Sequence, residues 1–156
     1  MTDLFKANLY LKTFGFFKIP LIFYINPKIV YLSDKEIKVS VGLNRRTRNH
    51  YGSMYFGALA VGADLSVGLF AMSLVKKSRS DMVLLFKDFE IQFHKRAEGN
   101  TIFTCQEHEK INNQIETVLR SGGRVNEKVS GQAFVPSRGD DPVCSFKLTI
   151  SLKQRK

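Results

Sequence analysis

Hydrophobic positions along the chain change period several times, and each change marks an element. Across residues 36–43 the apolar side chains Ile37, Val39, Val41 and Leu43 fall on every second position, the pattern of a strand with one buried face. The alternation is clearest near the C-terminal end, where Phe146, Leu148, Ile150 and Leu152 alternate with Lys147, Thr149, Ser151 and Lys153. Strand-like runs also occupy residues 82–86, 89–97 (with Phe89, Ile91 and Phe93 in alternation) and 101–106, with a turn at Glu98-Gly99-Asn100. Val125, Val129 and Val135 belong to a further strand, followed by a turn over residues 136–142. Between these runs Ile111, Ile115, Val118 and Leu119 recur at helical spacing, so a short amphipathic helix ending at Gly122-Gly123 is predicted.

Residues 54–75 have no polar face, and Asp64 is their only charge. Their length nearly matches a bilayer. However, Gly57, Gly62 and Gly68, Ser66 and Ser73 make poor lipid-facing material, and a central Asp costs about 3 kcal/mol on insertion scales. A helix buried all round inside the fold is the better reading. Ser53 is a suitable N-cap for it, and Lys76-Lys77 suit the negative end of its dipole. Upstream, residues 2–14 read as a short helix with Leu4, Asn8, Leu11 and Phe14 on one face and Phe5 and Leu9 beside it. Pro20 and Pro27 punctuate residues 19–32, read as an apolar connector that covers the sheet. The order is one strand, one long apolar helix, then four or five antiparallel strands. That predicts an α+β fold in which a single curved antiparallel sheet wraps around the helix. Residues 1–156 are expected to form one domain, with 1–32 as its N-terminal helix and connector.

Composition narrows the function classes. The chain has 156 residues, 24 Lys plus Arg against 14 acids and a formal charge of +10, which favours an anionic partner. The +10 charge is not accompanied by stacking aromatics among basic residues, so no nucleic acid is expected. Cys105 and Cys144 lack the spacing of a disulfide framework or a zinc site, and His50, His94 and His108 form no ligand set. No metal is expected, and the thiols fit a reducing, cytoplasmic compartment. Met1-Thr2-Asp3 places an acid where a secretory signal carries positive charge, so no signal peptide is expected. A membrane-surface role is not expected either, because the polar face of the first helix is not especially basic.

The chemistry concentrates at the head of the long helix, in Asn49-His50-Tyr51-Gly52-Ser53-Met54-Tyr55-Phe56-Gly57 and then Asp64. At about 100° per residue, Gly57, Ala60, Asp64, Gly68 and Ala71 share one face, small throughout except for the carboxylate. The helix start offers unpaired N–H groups suited to a developing oxyanion. Asp64 lies roughly 10 Å farther along the same helix by its rise per residue, too far to act on a carbonyl held at that start. Two copies around a twofold axis would bring the donors of one to the carboxylate of the other.

This segment resembles the signature N-x-x-G-x-x-H-G-G, with an Asp seven residues on, of hotdog-fold acyl-CoA thioesterases of the phenylacetyl-CoA thioesterase branch. Asn49, Gly52, Gly57 and Asp64 match in register, while Tyr55-Phe56 stands where the family has His-Gly. Residues 55–64, the element order and the extra N-terminal helix are also similar to an uncharacterised bacterial subgroup of thioesterase-like proteins. The resemblance implies a hotdog homodimer, or a dimer of dimers, acting on acyl-CoA or acyl-carrier thioesters, with coenzyme A as part of the substrate and no separate cofactor. It implies that Asp64 is the nucleophile or the base activating water, that the Phe56 or Gly57 amide polarises the carbonyl, and that Asn49 positions water or substrate. Tyr55 or His50 would have to supply what the family histidine contributes. Arg45, Arg46 and Arg48 are candidates for the coenzyme A phosphates. The alternative is a non-catalytic hotdog binding acyl-CoA or lipid, with Asp64 structural and Asn49 only pinning the loop.

Overall fold

The computed structural model describes residues 3–155. Its elements are α1 (Asp3–Phe17), α2 (Pro20–Ile25), β1 (Lys28–Leu32), β2 (Ile37–Val41), α3 (Phe56–Lys77), β3 (Met82–Phe93), β4 (Thr101–Cys105), α4 (His108–Ser121), β5 (Val125–Phe134) and β6 (Cys144–Gln154). The strands form one six-stranded antiparallel sheet in the order β1-β2-β4-β5-β6-β3. The architecture is α+β and hotdog: the sheet curls around α3.

Alternation becomes burial where the sequence places it. Ile37, Val39 and Val41 of β2 and Phe146, Leu148, Ile150 and Leu152 of β6 are buried, and they meet Val67, Phe70 and Ala71 of α3 in one core. α3 is the one helix among the described residues long and apolar enough to cross a membrane. Eleven of its 22 residues are buried in this core instead. Gly62 lets it approach the sheet, since a Cβ there would lie 2.3 Å from the Phe103 ring of β4. α4 buries Ile111, Ile115 and Val118 and ends at Gly122 in the left-handed conformation (φ 66°). Its Gln114 bridges two strands, donating from Nε2 to the carbonyls of Val125 and Ile150, each at 2.9 Å.

Several expectations change. The connector over 19–32 is ordered into α2 and β1, because Pro20 sits in the first turn of α2, where its missing N–H is harmless, rather than breaking a helix. A second strand therefore precedes α3. The two strands expected at 82–86 and 89–97 are one strand, β3, with a register irregularity between Phe86 and Asp88 that keeps it continuous. The alternating Phe89 and Phe93 of β3 are exposed, at 39% and 51%, because β3 is a sheet edge. Ser53 does not cap α3. The cap position is Tyr55, with no side-chain hydrogen bond, and the Ser53 hydroxyl is taken by the Asn49 amide at 3.1 Å.

Candidate functional site

The loop entering α3 is built from its own side chains. Asn49 Oδ1 accepts from the Tyr51 and Ser53 amides at 3.0 and 3.2 Å, and its Nδ2 donates to Ser53 Oγ. Gly52 takes the left-handed conformation (φ 82°) needed to close that turn. Backbone bonds from Tyr55 N–H to Thr47 C=O (2.7 Å) and from Met54 N–H to Ala97 C=O (2.8 Å) then tie the loop to its own start and to the β3–β4 connection. The chain thus enters α3 from a pinned position.

At the helix start, Ala58 and Leu59 N–H already bond the Tyr55 carbonyl. Among the described residues the first two amides, Phe56 and Gly57, have no backbone partner outside the helix, and no side chain caps them. These are the donors that the first turn of any helix leaves free. The Tyr55 ring folds along this turn: a Cβ at Gly57 would lie 2.6 Å from Tyr55 Cε1. Tyr55 also packs on Phe56 with ring centroids 4.7 Å apart. Both rings are exposed.

Asp64 stands two turns along α3. The first four residues of the small face found in the sequence, Gly57, Ala60, Asp64 and Gly68, are half-buried while the residues opposite them lie in the core. Ala71, expected on the same face, is fully buried because α3 has by then sunk into the core. Among the described residues the Asp64 carboxylate has no hydrogen bond and no ion pair. Burial alone pushes its pKa up from 3.8 to about 6. Its wall is completed by β3, since a Cβ at Gly68 would lie 3.3 Å from Phe86 Cζ and 3.8 Å from Asp64 Oδ1. The Asp64 face therefore opens toward the β3 edge of the sheet.

The remaining predicted residues gather at the same end of α3. His50 stacks on Tyr51 at 4.0 Å, and Arg96 lies over the Tyr51 ring at 5.7 Å. Arg45, Arg46 and Arg48 are exposed. Arg46 is docked on α2, with its guanidinium 5.4 Å from the Tyr24 ring centroid and Nη1 donating to the Tyr24 carbonyl at 3.4 Å. The structure thus brings Asn49, His50, Tyr55, Phe56, Gly57 and the arginines together. Asp64 stays roughly 10 Å away along the helix axis by the rise per residue. Phe86 and Tyr24 were not found from the sequence, whereas Arg96 belongs to His94-Lys95-Arg96, a further contact that the sequence offers at a strand end. Phe86 comes against Gly68, one turn from Asp64, only through the tertiary packing of β3 on α3, and no local pattern encodes that. Among the described residues no cluster of His, Cys, Asp and Glu could hold a metal ion. Cys105 and Cys144 are buried, and burial pushes their thiols up to about 11 and about 12, so both are inert.

Known proteins share this architecture. The sequence matches the family described as a domain of unknown function (DUF4442) over residues 8–130. No curated protein sequence matches the chain. A solved protein of unknown function from Chlorobaculum tepidum superposes with a TM-score of 0.85 at 11% identity, covering 97% of each chain. A candidate thioesterase from Shewanella oneidensis superposes with a TM-score of 0.81 at 14% identity, covering 95% of this chain and 98% of that one. A thioesterase from Haemophilus influenzae gives 0.73 at 11% identity, covering 99% and 92%. The likeness runs the whole length of the chain and carries the fold. With the family match spanning β1 through most of β5, the chain belongs to the DUF4442 family and is a hotdog protein.

Proposed function

We propose that the protein hydrolyses acyl thioesters of coenzyme A or an acyl carrier, at sites shared between two protomers. The observation that carries this is a half-buried carboxylate, Asp64, left without a partner on the small open face of the same helix whose first two N–H groups are also free. A carboxylate kept only for stability normally has a protein partner; Asp64 has none among the described residues. The Phe56 and Gly57 amides of one protomer hold the thioester carbonyl oxygen. As nucleophile, the Asp64 oxygen of a second protomer adds to the carbonyl carbon and expels the thiolate, and water then splits the acyl–Asp64 anhydride, its hydroxyl going to the acyl group and its proton to the thiolate. As base, Asp64 takes a proton from water while that water's oxygen adds to the carbonyl carbon. The C–S bond then breaks, the proton on Asp64 passes to the leaving thiolate, and a carboxylic acid and a free thiol result. Asn49, whose amide is spent inside the loop, sets the direction in which Phe56 and Gly57 present their hydrogens. Arg45, Arg46 and Arg48 suit the phosphates of coenzyme A. Phe86 and the α3 small face suit an apolar acyl group.

A set of acyl-CoA thioesters of increasing chain length, assayed with the natural chain and with Asp64→Asn, tests the reading. The substitution should lower kcat/KM by about 10²- to 10⁴-fold, the usual worth of a general base, with ligand affinity unchanged. For the natural chain, activity should rise with pH through about 6 and level off above it, because only the ionised carboxylate accepts a proton. Hydrolysis untouched by Asp64→Asn would overturn it. The second reading, a non-catalytic acyl-CoA or lipid binder, draws support from Tyr55-Phe56 at the helix start, where bulk stands beside the free amides. Affinity for acyl-CoA without turnover of any thioester would establish that reading instead.

A further inference from the structure

The N-terminal helices present a second surface that the thioester reading does not use. α1 and α2 form a tight hairpin, crossing so closely that a Cβ at Gly15 would lie 2.9 Å from Phe23 N. The inner side of the hairpin is committed to the fold: Leu11, Ile22 and Ile25 are buried. Its outer side is apolar and open. At the turn between the helices, Phe16, Phe17 and Phe23 are 57%, 75% and 40% exposed, and Phe16 packs edge-on against both others at 4.9 and 5.1 Å. Leu9, Tyr10 and Leu21 continue the patch with at least half of their surface exposed. Rings clustered on one another yet left in water are a surface awaiting an apolar phase.

The charges around the patch identify that phase. Residues 4–33 carry Lys6, Lys12, Lys18 and Lys28 and no acidic residue. Lys6, Lys12 and Lys18 are exposed and in no ion pair among the described residues. A second copy is a poor occupant, because a twofold contact sets the patch against itself and so brings lysine to lysine with no acid between. The patch also lies at the β1 side of the sheet, where α1 packs, whereas the long open strand β3 is the opposite edge. An anionic phospholipid surface answers both features, with acyl chains for the rings and phosphates for the ammonium groups. The weak basic character of α1 read alone counts against a membrane role in the sequence. Once α2 folds back, the lysines and aromatics of two segments share one surface.

We propose that the α1–α2 hairpin docks this protein on anionic membrane surfaces, with Phe16, Phe17 and Phe23 entering the interface and Lys6, Lys12 and Lys18 on the phosphates. Tyr24 carries the arginine loop on its other flank through Arg46, so docking would place that loop beside the bilayer. The proposal goes beyond thioester hydrolysis and does not depend on it.

Co-flotation of the full chain with vesicles of phosphatidylcholine, with and without phosphatidylglycerol, tests it at low and high salt. The protein should float with the anionic vesicles at low salt and be released by high salt or by omission of phosphatidylglycerol. Phe17→Asp should weaken binding about tenfold or more, the worth of one buried aromatic ring. Lys12→Glu should weaken it on anionic vesicles. Because Phe17 is largely exposed, both variants should melt like the natural chain, and light scattering should show the same oligomer. Absence of flotation with anionic vesicles, or flotation indifferent to Phe17→Asp, would overturn the proposal. So would a smaller oligomer for Phe17→Asp, which would mean that a second copy covers the patch.

Discussion

At one edge of the sheet, the five-residue β1 is covered by the protein's own chain. The Asn8 side chain acts there as a missing strand: its Nδ2 donates to the Ile29 carbonyl at 2.8 Å and its Oδ1 accepts from the Ile29 amide at 2.9 Å. At the other edge the twelve-residue β3 pairs only with β6, and Leu85, Phe86, Phe89 and Phe93 stand exposed along it. Natural sheets shorten, charge or cover their edges to prevent unwanted pairing. Here one edge is closed in that way, while the other is long, aromatic and open. The unpartnered carboxylate faces the open side. The difference teaches that one sheet edge is closed from within the chain while the other is left free. In the proposed function the shared site therefore falls on the β3 side, and the β1 side is left to the proposed membrane contact.

The contrast between the edges breaks most decisively at β3. Leu85→Lys combined with Phe89→Lys puts like charges on the open edge of both copies. A dimer formed there should fall to monomers by light scattering, and thioester hydrolysis should drop by about 10²-fold or more, because donors and carboxylate are then separated. A variant that remains dimeric and active would remove β3 from the assembly.

A smaller effect separates the two sides energetically. The native Asp64 pKa, about 6, lies above its unfolded value near 3.8, so folding favours the protonated form. The stability this group contributes is fully present below pH 3.8 and is lost as pH rises through 6. Above that the folded protein carries a half-buried charge with no partner among the described residues. Asp64→Asn should therefore stabilise the chain at pH 7 by about 2–3 kcal/mol, with the gain vanishing below about pH 4. Urea unfolding at both pH values measures it. If Asp64→Asn instead destabilises the protein at neutral pH, the carboxylate has a structural partner.

The closed edge gives the smallest change. Asn8→Ala leaves the Ile29 N–H and C=O without their partner and should cost about 1–2 kcal/mol in the same experiment. Hydrogen exchange at Ile29 should accelerate while exchange in β6 stays slow. Equal protection at Ile29 in both proteins would show that Asn8 does not close the edge.

Much of the fold was legible because its elements announce themselves locally. The alternation of β2 and β6, the 3.6 spacing of α4 ending at Gly122, and the unbroken apolar run of α3 each have one stable solution around a shared core. The small face bearing Asp64 and the two free amides could also be read, since both follow from helix geometry alone. The α2–β1 segment was not legible, because Pro20 reads equally as a break or as a first turn, and only Ile22, Ile25 and Ile29 meeting the core decides between them. The capping role of Ser53 failed for a similar reason. Asn49 captures its hydroxyl four residues back, a competition that residue type alone does not resolve.

By itself, then, the sequence determined the helix or strand character of most stretches outside residues 19–32, which faces are apolar, and that one acid lies in an otherwise small, apolar helix face. Those properties depend on neighbours within a turn or two of chain. Tertiary structure decided the order of the strands, which edge is closed and which open, the packing of Phe86 against Gly68 one turn from Asp64, and the merging of lysines and aromatics on the α1–α2 surface. Each of these joins residues far apart in the chain, and their positions follow from how the curved sheet packs as a whole, which no local period records.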